Sequence, residues 1–531
     1  MIRDRTFFLR CALVAMFIGA LPFLLGQAMT PPGAMFYGNK YIAPADFSIY
    51  YSYIHQGAQA HLFMYDAFTS EAAALTIFQP LWFLVGLGAH VFHLNPPTAF
   101  AAARLIATPV LLVTLWWATG WIWREDKRRR RIGFVLSIVA SGLGGILTVI
   151  GPQFTRAFAT YPDVWVSEGF ILLTLWSSAH FILATSGIIF VLVAVERSWL
   201  EQRSSWACWA GLVALATLSI HPFHIITWTI LWVELTVWRW VASKSFPLGY
   251  VKHWLLVLVM ASPVLLLYGL QLLFDPLTIG RAIQNINLTP VPWVVAVGLG
   301  LPLLGALVSK WTWRLKDGRW QWLVSLAVAY CIVVYIPFTF QRRLMQGMII
   351  PFIFLSVPLF EFLIFSNRRR LIKVFSGTAL ALALSSSWFF VGGRTVQAYA
   401  NDLRQPTHLY FLPAEYLAAA KYLETTNPHQ PLLTSLIESN ILAGLTAHQV
   451  YVGYGSETLK YDEKSKLMDA FFERLTHDRQ QQLLRTERLC YILTSPWTKA
   501  KGTAFRPEEW PDLVKVWSST NLALYRTPYC R

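Results

Sequence analysis

Long apolar runs, separated by short polar or charged segments, recur along the first three quarters of the chain. A helix needs about 20 apolar residues to cross a bilayer, and uncharged runs near this length recur through residues 1–392. From residue 393 onwards charged residues occur throughout, and no run is long enough to cross. The pattern therefore predicts a membrane domain over residues 1–392 and a smaller, water-exposed domain over residues 393–531.

The apolar runs predict an all-α polytopic membrane domain with about eleven transmembrane helices. A run that begins at residue 204 and continues to 238 contains His221-Pro222-Phe223-His224 near its middle. This run is too long for one span, so it is predicted to form a hairpin of two. The other predicted spans are residues 7–26, 105–123, 132–150, 179–195, 253–274, 293–309, 320–337, 347–365 and 371–391.

Basic residues set the predicted orientation, because Lys and Arg concentrate in cytoplasmic loops. The most basic stretch, residues 124–131, would face outside if both preceding apolar runs crossed the membrane. One of them therefore does not cross: residues 77–94, interrupted by Pro80, are predicted to form an interfacial helix on the outer face. This assignment predicts a cytoplasmic N-terminus, an outer first loop over residues 27–76, and a C-terminal domain outside the membrane.

The C-terminal segment is predicted to be a small extracytoplasmic α/β domain. Short β-rich runs alternate there with helical patterns. Strands are predicted at residues 431–435, 449–452, 490–493 and 522–525, and helices at 437–445 and 461–475. Cys490 and Cys530 both fall in this domain, where a disulfide and two free thiols are the alternatives.

The composition agrees with an integral membrane protein and excludes an ordinary soluble enzyme. Apolar residues make up 55% of the 531 residues and charged residues only 14%, against roughly a quarter in soluble domains. The formal net charge is +16, but basic cytoplasmic loops account for many of these residues, so the charge does not indicate nucleic-acid binding.

Under this topology the noteworthy polar residues share the outer side of the membrane. A binding site built from several loops would explain this asymmetry; the alternative is that external loops need polar residues in any case. The residues on the predicted outer side are Asp46, Asp66, Glu71, Asp163, Glu168, His180, His221, His224, Arg342 and Arg343.

Asp46 follows Pro44 by two residues, at the start of an aromatic-rich helical pattern that leads to Asp66 and Glu71. A carboxylate at a membrane interface is partly desolvated, which raises its pKa and suits it to general-base catalysis. A helix cap is the alternative role. We interpret Asp46 as the base, with Asp66 and Glu71 as substrate-binding residues.

Asp163 and Glu168 form a second acidic pair, five residues apart in one predicted loop. They suit contacts with acceptor hydroxyls or a divalent ion, and a solvated turn is the alternative. His180, His221 and His224 lack the i, i+4 spacing of a helical metal site, which favours hydrogen bonds to a phosphate or carbonyl.

Arg342 and Arg343 are adjacent arginines on a predicted outer loop, where the orientation rule disfavours basic residues. An anionic ligand held by two guanidinium groups would explain their position; lipid headgroups are the alternative. Arg104, at the outer end of its span, and Arg281 are candidates to join them.

These features together resemble the GT-C glycosyltransferases, multi-spanning enzymes that include the protein mannosyltransferases and the aminoarabinose transferases. The resemblance covers the architecture of nearly the whole chain. It depends on the loop around Asp46, Thr69-Ser70-Glu71, the Pro80 helix, the Pro162-Asp163 to Glu168 loop, His180-Phe181, His221-Pro222 and Arg342-Arg343…Gly347.

The resemblance implies transfer of a sugar from a polyprenyl-phosphate carrier to an extracytoplasmic glycan, lipid or protein, with Asp46 as catalytic carboxylate and Arg342 and Arg343 at the carrier phosphate. The first loop has one carboxylate at position 46 where the family often has a pair, so a divalent metal stays an open alternative and no other cofactor is implied. The implied location is a bacterial-type cytoplasmic membrane. A lipid-linked sugar flippase and an oligosaccharide ligase or polymerase are the competing functions.

Overall fold

The computed structural model describes residues 2–38, 46–71, 76–124, 126–151, 161–365, 370–404 and 408–530. Parts of the predicted first loop, residues 39–45 and 72–75, therefore lie outside the described residues. So do most side chains of the predicted span 371–391.

The described chain is mostly helical. Its N-terminal half contains α1 (Ile2–Met29), β1 (Ala34–Phe36), α2 (Asp46–Ala58), β2 (Phe63–Met64), β3 (Ile77–Phe78), α3 (Pro80–Val91), α4 (Pro96–Ile122), α5 (Lys127–Val139), α6 (Gly144–Ile150), α7 (Ile171–Ser177), α8 (Ala179–Leu200), α9 (Ser204–Ile220), α10 (His224–Ser243) and α11 (Leu248–Phe274).

Helices continue through the second half, and strands become frequent after residue 410. The elements are α12 (Pro276–Gln284), α13 (Pro292–Val308), α14 (Gly318–Val333), α15 (Ile349–Phe365), α16 (Arg370–Arg404), β4 (Phe411–Pro413), α17 (Ala414–Leu423), β5 (Leu432–Leu433), α18 (Leu436–Thr446), α19 (Tyr461–Glu473), α20 (His477–Thr486), β6 (Tyr491–Thr494), α21 (Pro496–Lys501), β7 (Val514–Ser518) and β8 (Ala523–Arg526).

Among the described residues, seven helices are long and apolar enough to cross a membrane. The pair α5 and α6, bent by 45°, would add an eighth. Two other predicted spans form shorter helices, α9 with 17 residues and α14 with 16. The structure thus supports a multi-pass membrane protein, whereas the count of about eleven spans stays a prediction.

The structure bears on two features that the sequence predicts at prolines, the interruption near Pro222 and the short helix at Pro80. The expected interruption at residues 221–223 is present, since α9 ends at Ile220 and α10 begins at His224. Pro80 begins α3 at its first position, where a missing N–H costs nothing. At 12 residues α3 is too short to span a bilayer. Its position against a membrane surface stays a prediction.

The chain packs as two compact units. Unit 1 contains Met1–Pro22, Ala103–Gly269 and Ile286–Val396, and unit 2 contains Phe23–Ala102, Leu270–Asn285 and Gln397–Arg531. The C-terminal segment therefore packs in one unit with the sequence around the predicted first loop. The domain boundary predicted at residue 392 follows composition rather than packing and stays a prediction.

Unit 1 is a helical assembly whose helices approach closely at small residues. A Cβ on Gly187 of α8 would overlap Thr217 Oγ1 of α9, and a Cβ on Gly305 of α13 would lie 2.7 Å from Ser356 Cβ of α15. Small residues allow such approach in membrane helices, where packing replaces the hydrophobic effect as the driving force.

Unit 2 combines helices with a four-stranded sheet in the order β5-β6-β8-β7. Strands β5 and β6 are parallel, and the other two pairs are antiparallel. The sheet packs on a buried cluster that includes Phe471, Leu484, Ile492 and Trp510. Strands β5, β6 and β8 and helices α18 and α19 lie near predicted elements. Residues 449–452, predicted to be a strand, form only isolated bridges at Val450 and Val452. The α/β domain and its extracytoplasmic location stay predictions.

No disulfide joins Cys490 and Cys530 in the structure. The Cys530 thiol lies 3.3 Å from the carbonyl oxygen of Cys490 and donates to it. The disulfide considered from the sequence is therefore not formed.

Candidate functional site

Asp46 is the first residue of α2 in unit 2. Its carboxylate is half-buried, and Oδ1 accepts a hydrogen bond from the phenol of Tyr454. The two residues are 408 positions apart, so the proposed base meets a side chain from the C-terminal segment. The residues just before Asp46, 41–45, lie outside the described part of the chain.

Asp66 is buried in unit 2 and already has partners. Its Oδ1 accepts from the Phe68 backbone N–H at 2.8 Å, and Oδ2 lies 3.6 Å from Arg281 Nε. Burial raises the pKa of Asp66, and the charge of Arg281 opposes this shift. A contact between Asp66 and a substrate stays a prediction.

Arg281, on α12, is matched by acidic groups within unit 2. It forms ion pairs with Asp66 and Glu457 and donates to Tyr53 Oη at 3.3 Å. Since two carboxylates already balance this guanidinium, the expectation that Arg281 joins a phosphate site loses its electrostatic basis.

Glu71 contacts a lysine that the sequence analysis did not single out. Lys464 Nζ, from α19, donates to Glu71 Oε1 at 2.7 Å and to Ser70 Oγ at 2.9 Å. Thr69 Oγ1 donates to Glu71 Oε2. The lysine side chain is 5% exposed. This buried ion pair connects the Thr69-Ser70-Glu71 segment to the C-terminal segment.

Asp163 and Glu168 lie in unit 1 and are both buried. Asp163 Oδ2 accepts from the backbone N–H of Gly144, the first residue of α6, at 2.9 Å. The backbone oxygen of Glu168 accepts from Gly347 N at 2.9 Å. The solvated-turn alternative is therefore wrong, because neither carboxylate faces open solvent. Their proposed contacts with acceptor hydroxyls stay predictions.

The three predicted histidines come together in unit 1 around Gln346. His221 Nδ1 lies 2.9 Å from His224 Nε2, which lies 2.8 Å from Gln346 Oε1. Gln346 Nε2 donates to the Phe181 carbonyl at 2.8 Å, one residue after His180. The His180 and His221 rings stack with centroids 6.1 Å apart.

His221 lies in the turn between α9 and α10 and is buried. Burial, and then the charges of His224 and Arg343, hold the pKa of His221 well below its ordinary value. The ring is therefore neutral at physiological pH. Among the described residues, His221 Nε2 and His224 Nδ1 have no hydrogen-bond partner.

Arg342 and Arg343 lie on a 3₁₀ turn, Gln341–Met345, and stack on aromatic rings. The Arg342 guanidinium carbon is 4.7 Å from the Trp165 ring centroid, and that of Arg343 is 5.3 Å from the Phe223 ring centroid. Within the described ranges, no acidic side chain forms an ion pair with either arginine. Their buried Nε groups have no hydrogen-bond partner there.

Arg104, on α4, is 3% exposed and donates from Nη1 to the Trp176 carbonyl oxygen at 3.1 Å. This carbonyl belongs to the last turn of α7, where helix carbonyls lack intrahelical partners. The bond gives Arg104 a structural role, and its assignment to a donor phosphate stays a prediction.

The structure thus groups the predicted residues into two sets. Arg342, Arg343 and the histidines lie in unit 1 and form what we call the arginine–histidine cluster. Asp46, Asp66 and Glu71 lie in unit 2 and join contacts with Tyr454, Arg281, Glu457 and Lys464, which we call the carboxylate cluster. Sequence reasoning missed Tyr454 and Lys464 as partners, since nothing local to them shows which acidic residue they meet.

A metal site is not evident in the described ranges. No group of three or more His, Cys, Asp or Glu side chains lies close enough together there to hold an ion. The question of a divalent ion therefore stays open.

Comparisons with known proteins place the fold. Neither a protein-family model nor a curated protein sequence matches this chain. Among solved structures, the oligosaccharyltransferase of Archaeoglobus fulgidus with a tethered acceptor peptide is similar over 92% of this chain and 69% of that one, with a TM-score of 0.53 at 10% identity. The same enzyme, AglB, with an inhibitory peptide and a dolichol-phosphate has the same coverage and identity and a TM-score of 0.51.

A mycobacterial protein gives a comparable result. The arabinofuranosyltransferase AftD is similar over 98% of this chain with a TM-score of 0.52 at 14% identity, and this chain spans 40% of its length. These structures are GT-C glycosyltransferases. At such low identity the similarity establishes the fold, so the predicted GT-C architecture is confirmed at that level.

Proposed function

We propose that this protein is a membrane glycosyltransferase that moves a sugar from a polyprenyl-phosphate-linked donor to an acceptor, with inversion at the anomeric carbon. The observation that carries the proposal is the pair Arg342 and Arg343. Their guanidinium groups lie over aromatic rings, and among the described residues no acid balances their charge. A phosphate group would supply the missing partner, since guanidinium forks bind it through paired hydrogen bonds.

The chemistry needs few protein groups. In the reaction an acceptor hydroxyl attacks the anomeric carbon, the new C–O bond forms, and the bond from that carbon to the phosphate oxygen breaks. The hydroxyl proton must pass to a base, while the polyprenyl phosphate leaves as a stable anion and needs no proton. One carboxylate and a cationic phosphate site are therefore sufficient, unlike the two carboxylates of a glycosidase.

The residues are assigned by their chemistry within each unit. Asp46 is the proposed base in unit 2, supported by its half-buried position and its hydrogen bond from Tyr454. Arg342 and Arg343 are the proposed phosphate ligands in unit 1. The neutral histidines beside them suit hydrogen bonding rather than metal coordination or charge balance.

A dolichol-phosphate complex of AglB gives indirect support. AglB carries a polyprenyl phosphate in that structure, and its fold is similar to that of this chain.

The functional test uses the purified full chain with a panel of polyprenyl-phosphate sugars and measures release of the bare carrier. Asp46→Asn is expected to abolish release while leaving the protein folded. Arg203→Gln, at an exposed arginine, serves as the control and keeps full activity. Turnover of Asp46→Asn at the rate of the unaltered chain would refute the base assignment. Turnover only with polyprenyl-diphosphate donors would favour the ligase alternative.

We also propose a cytoplasmic membrane location with the N-terminus inside and the C-terminal segment outside. Single cysteines placed at exposed positions of α1 and β7 test this in intact cells with a membrane-impermeant thiol reagent. Labelling only at β7 is expected. Labelling at both positions or only at α1 would contradict the proposed orientation.

A further inference from the structure

A loop of the C-terminal segment, residues 453–460, brings a tyrosine to Asp46. We call it the Tyr454 loop. Tyr454 Oη donates to Asp46 Oδ1 at the start of α2. All of the contacts described below lie inside unit 2.

The Tyr454 loop is closed by its own hydrogen bonds. The backbone N–H groups of Glu457 and Thr458 both donate to the Tyr454 carbonyl, at 3.0 and 2.9 Å. Gly453 N donates to Thr458 Oγ1 at 2.9 Å. Tyr454 therefore begins a tight turn whose backbone conformation is defined locally.

The same loop is bonded to the segment that contains Asp66. Thr458 Oγ1 donates to the Phe68 carbonyl at 2.6 Å, and Leu459 N donates to Thr69 Oγ1 at 3.3 Å. A Cβ on Gly453 would lie 2.8 Å from the Phe68 ring, so only glycine fits at the start of the loop without displacement of that ring.

Helix α12 holds the other side of the loop. Gln284 donates to the Thr458 carbonyl at 2.8 Å and accepts from Lys460 N at 2.9 Å. Arg281 forms its ion pair with Glu457, which is 8% exposed. Side-chain hydrogen bonds and a buried ion pair thus fix the loop from two directions, more than a surface turn needs.

We infer that Tyr454 is a positioning residue for Asp46, and that the C-terminal segment completes the catalytic end of the first loop. This inference rests on the proposed function. The phenol fixes the orientation of the carboxylate by holding Oδ1, and it stabilises the charged, proton-accepting form. The other contacts of the Tyr454 loop serve to keep the phenol in place.

A hydrogen bond to a charged group is stronger than one between neutral groups, so its loss has a measurable effect on rate. Without the phenol, the carboxylate samples more orientations and fewer of them are productive. The charged form also loses stabilisation, so the carboxylate takes up its proton at a higher pH. As the pH is lowered, the variant should then lose activity at a higher pH than the unaltered chain does.

The test compares Tyr454→Phe with Tyr451→Phe in the purified full chain. Tyr451 is a matched control in the same segment, because its buried hydroxyl has no hydrogen-bond partner among the described residues. For Tyr454→Phe, kcat is expected to fall about tenfold with KM for the donor unchanged. The acid limb of the pH–rate profile should move up by about one pH unit. Tyr451→Phe should have the same kcat, KM and acid limb as the unaltered chain.

A cycle of Asp46→Asn, Tyr454→Phe and the double variant measures the contact without turnover. The two substitutions should be non-additive in thermal unfolding; strict additivity would overturn the inference. The inference would also be overturned if Asp46→Asn were inactive while Tyr454→Phe kept a normal kcat and a normal acid limb. That result would leave the proposed function intact. An active Asp46→Asn would instead defeat the base assignment.

Discussion

Two groups of arginines in unit 1 have opposite surroundings. In the basic stretch, Arg124 lies 2.6 Å from Glu201, Arg129 lies 2.8 Å from Glu361, and Arg131 lies 2.6 Å from Asp4. Arg342 and Arg343 have aromatic rings for neighbours and no acidic partner among the described residues.

Arg130 is an intermediate case that shows what stacking alone means. Its guanidinium lies 3.8 Å from the Trp116 ring centroid, but it also donates to the Trp116 carbonyl and lies within range of the Asp4 charge. Stacking therefore also occurs where the protein supplies local polar and charged groups. Among the described residues, Arg342 and Arg343 differ from Arg130 in having no acidic group that balances their charge, which supports the proposal that they bind an external anion.

The largest effect is expected from removal of both unbalanced charges. In the variant Arg342→Gln/Arg343→Gln, affinity for polyprenyl phosphate should fall about 1000-fold, because two charge-assisted contacts are lost. Equilibrium binding to the purified protein measures this. Arg130→Gln is the control for a stacked arginine and should bind normally. An equal loss of affinity in Arg130→Gln and in the double variant would show that stacking on an aromatic ring, and not the absence of an acidic partner, determines binding.

The next largest effect is expected on folding stability, from the removal of Arg281, an arginine of unit 2 that does have acidic partners. Arg281→Gln leaves the buried carboxylates of Asp66 and Glu457 without their partner, so folding stability should fall by about 3 kcal/mol. Arg129→Gln, in a more exposed ion pair, should cost about 0.5 kcal/mol. Thermal unfolding in detergent tests both, and comparable losses would contradict the distinction.

The sequence could predict features that depend on local patterns. The helix interruption at His221 follows from run length and a proline, and the helix near 461–475 follows from its own periodicity. The adjacency of Arg342 and Arg343 needed no folding at all. These predictions agree with the structure because each depends on residues close together in the chain.

Partners distant in sequence could not be predicted. The hydrogen bond between Tyr454 and Asp46 joins residues 408 positions apart, and the ion pair between Arg281 and Glu457 depends on where α12 packs. The burial of Asp163 could not be predicted for a related reason, and a solvated turn stayed an alternative in the sequence analysis. Its environment depends on the position of Gly144 at the start of α6, which the loop sequence does not show.

A smaller effect is expected from the ring beneath Arg342. Trp165→Leu removes the aromatic face and should weaken donor binding about fivefold, because a cation–π contact contributes about 1 kcal/mol. Trp311 is the matched control: Lys310 lies 4.8 Å from its centroid, but the ring is 86% exposed. Trp311→Leu should leave binding unchanged. If Trp165→Leu also bound normally, the ring would not position Arg342.

The smallest effect concerns Arg526, an arginine beside a titratable thiol in unit 2. A hydrogen bond with the Cys490 side chain, and then the neighbouring Arg526, lower the pKa of Cys530 to about 6. An ordinary thiol titrates near pH 8.5. Because the thiolate is the nucleophile, alkylation of Cys530 should reach half its maximal rate near pH 6.

Removal of the Arg526 charge destabilises the thiolate, so Arg526→Gln should shift the Cys530 midpoint upward and slow alkylation at pH 6 about twofold. Lys515→Gln, on the neighbouring strand β7, should leave the midpoint unchanged. Peptide-resolved mass spectrometry separates Cys530 from the other cysteines. The partner of Arg526 is the Cys530 thiolate, which takes up a proton and loses its charge as the pH falls. If Arg526→Gln left the Cys530 midpoint unchanged, Cys490 and not Arg526 would be the cause of the low pKa.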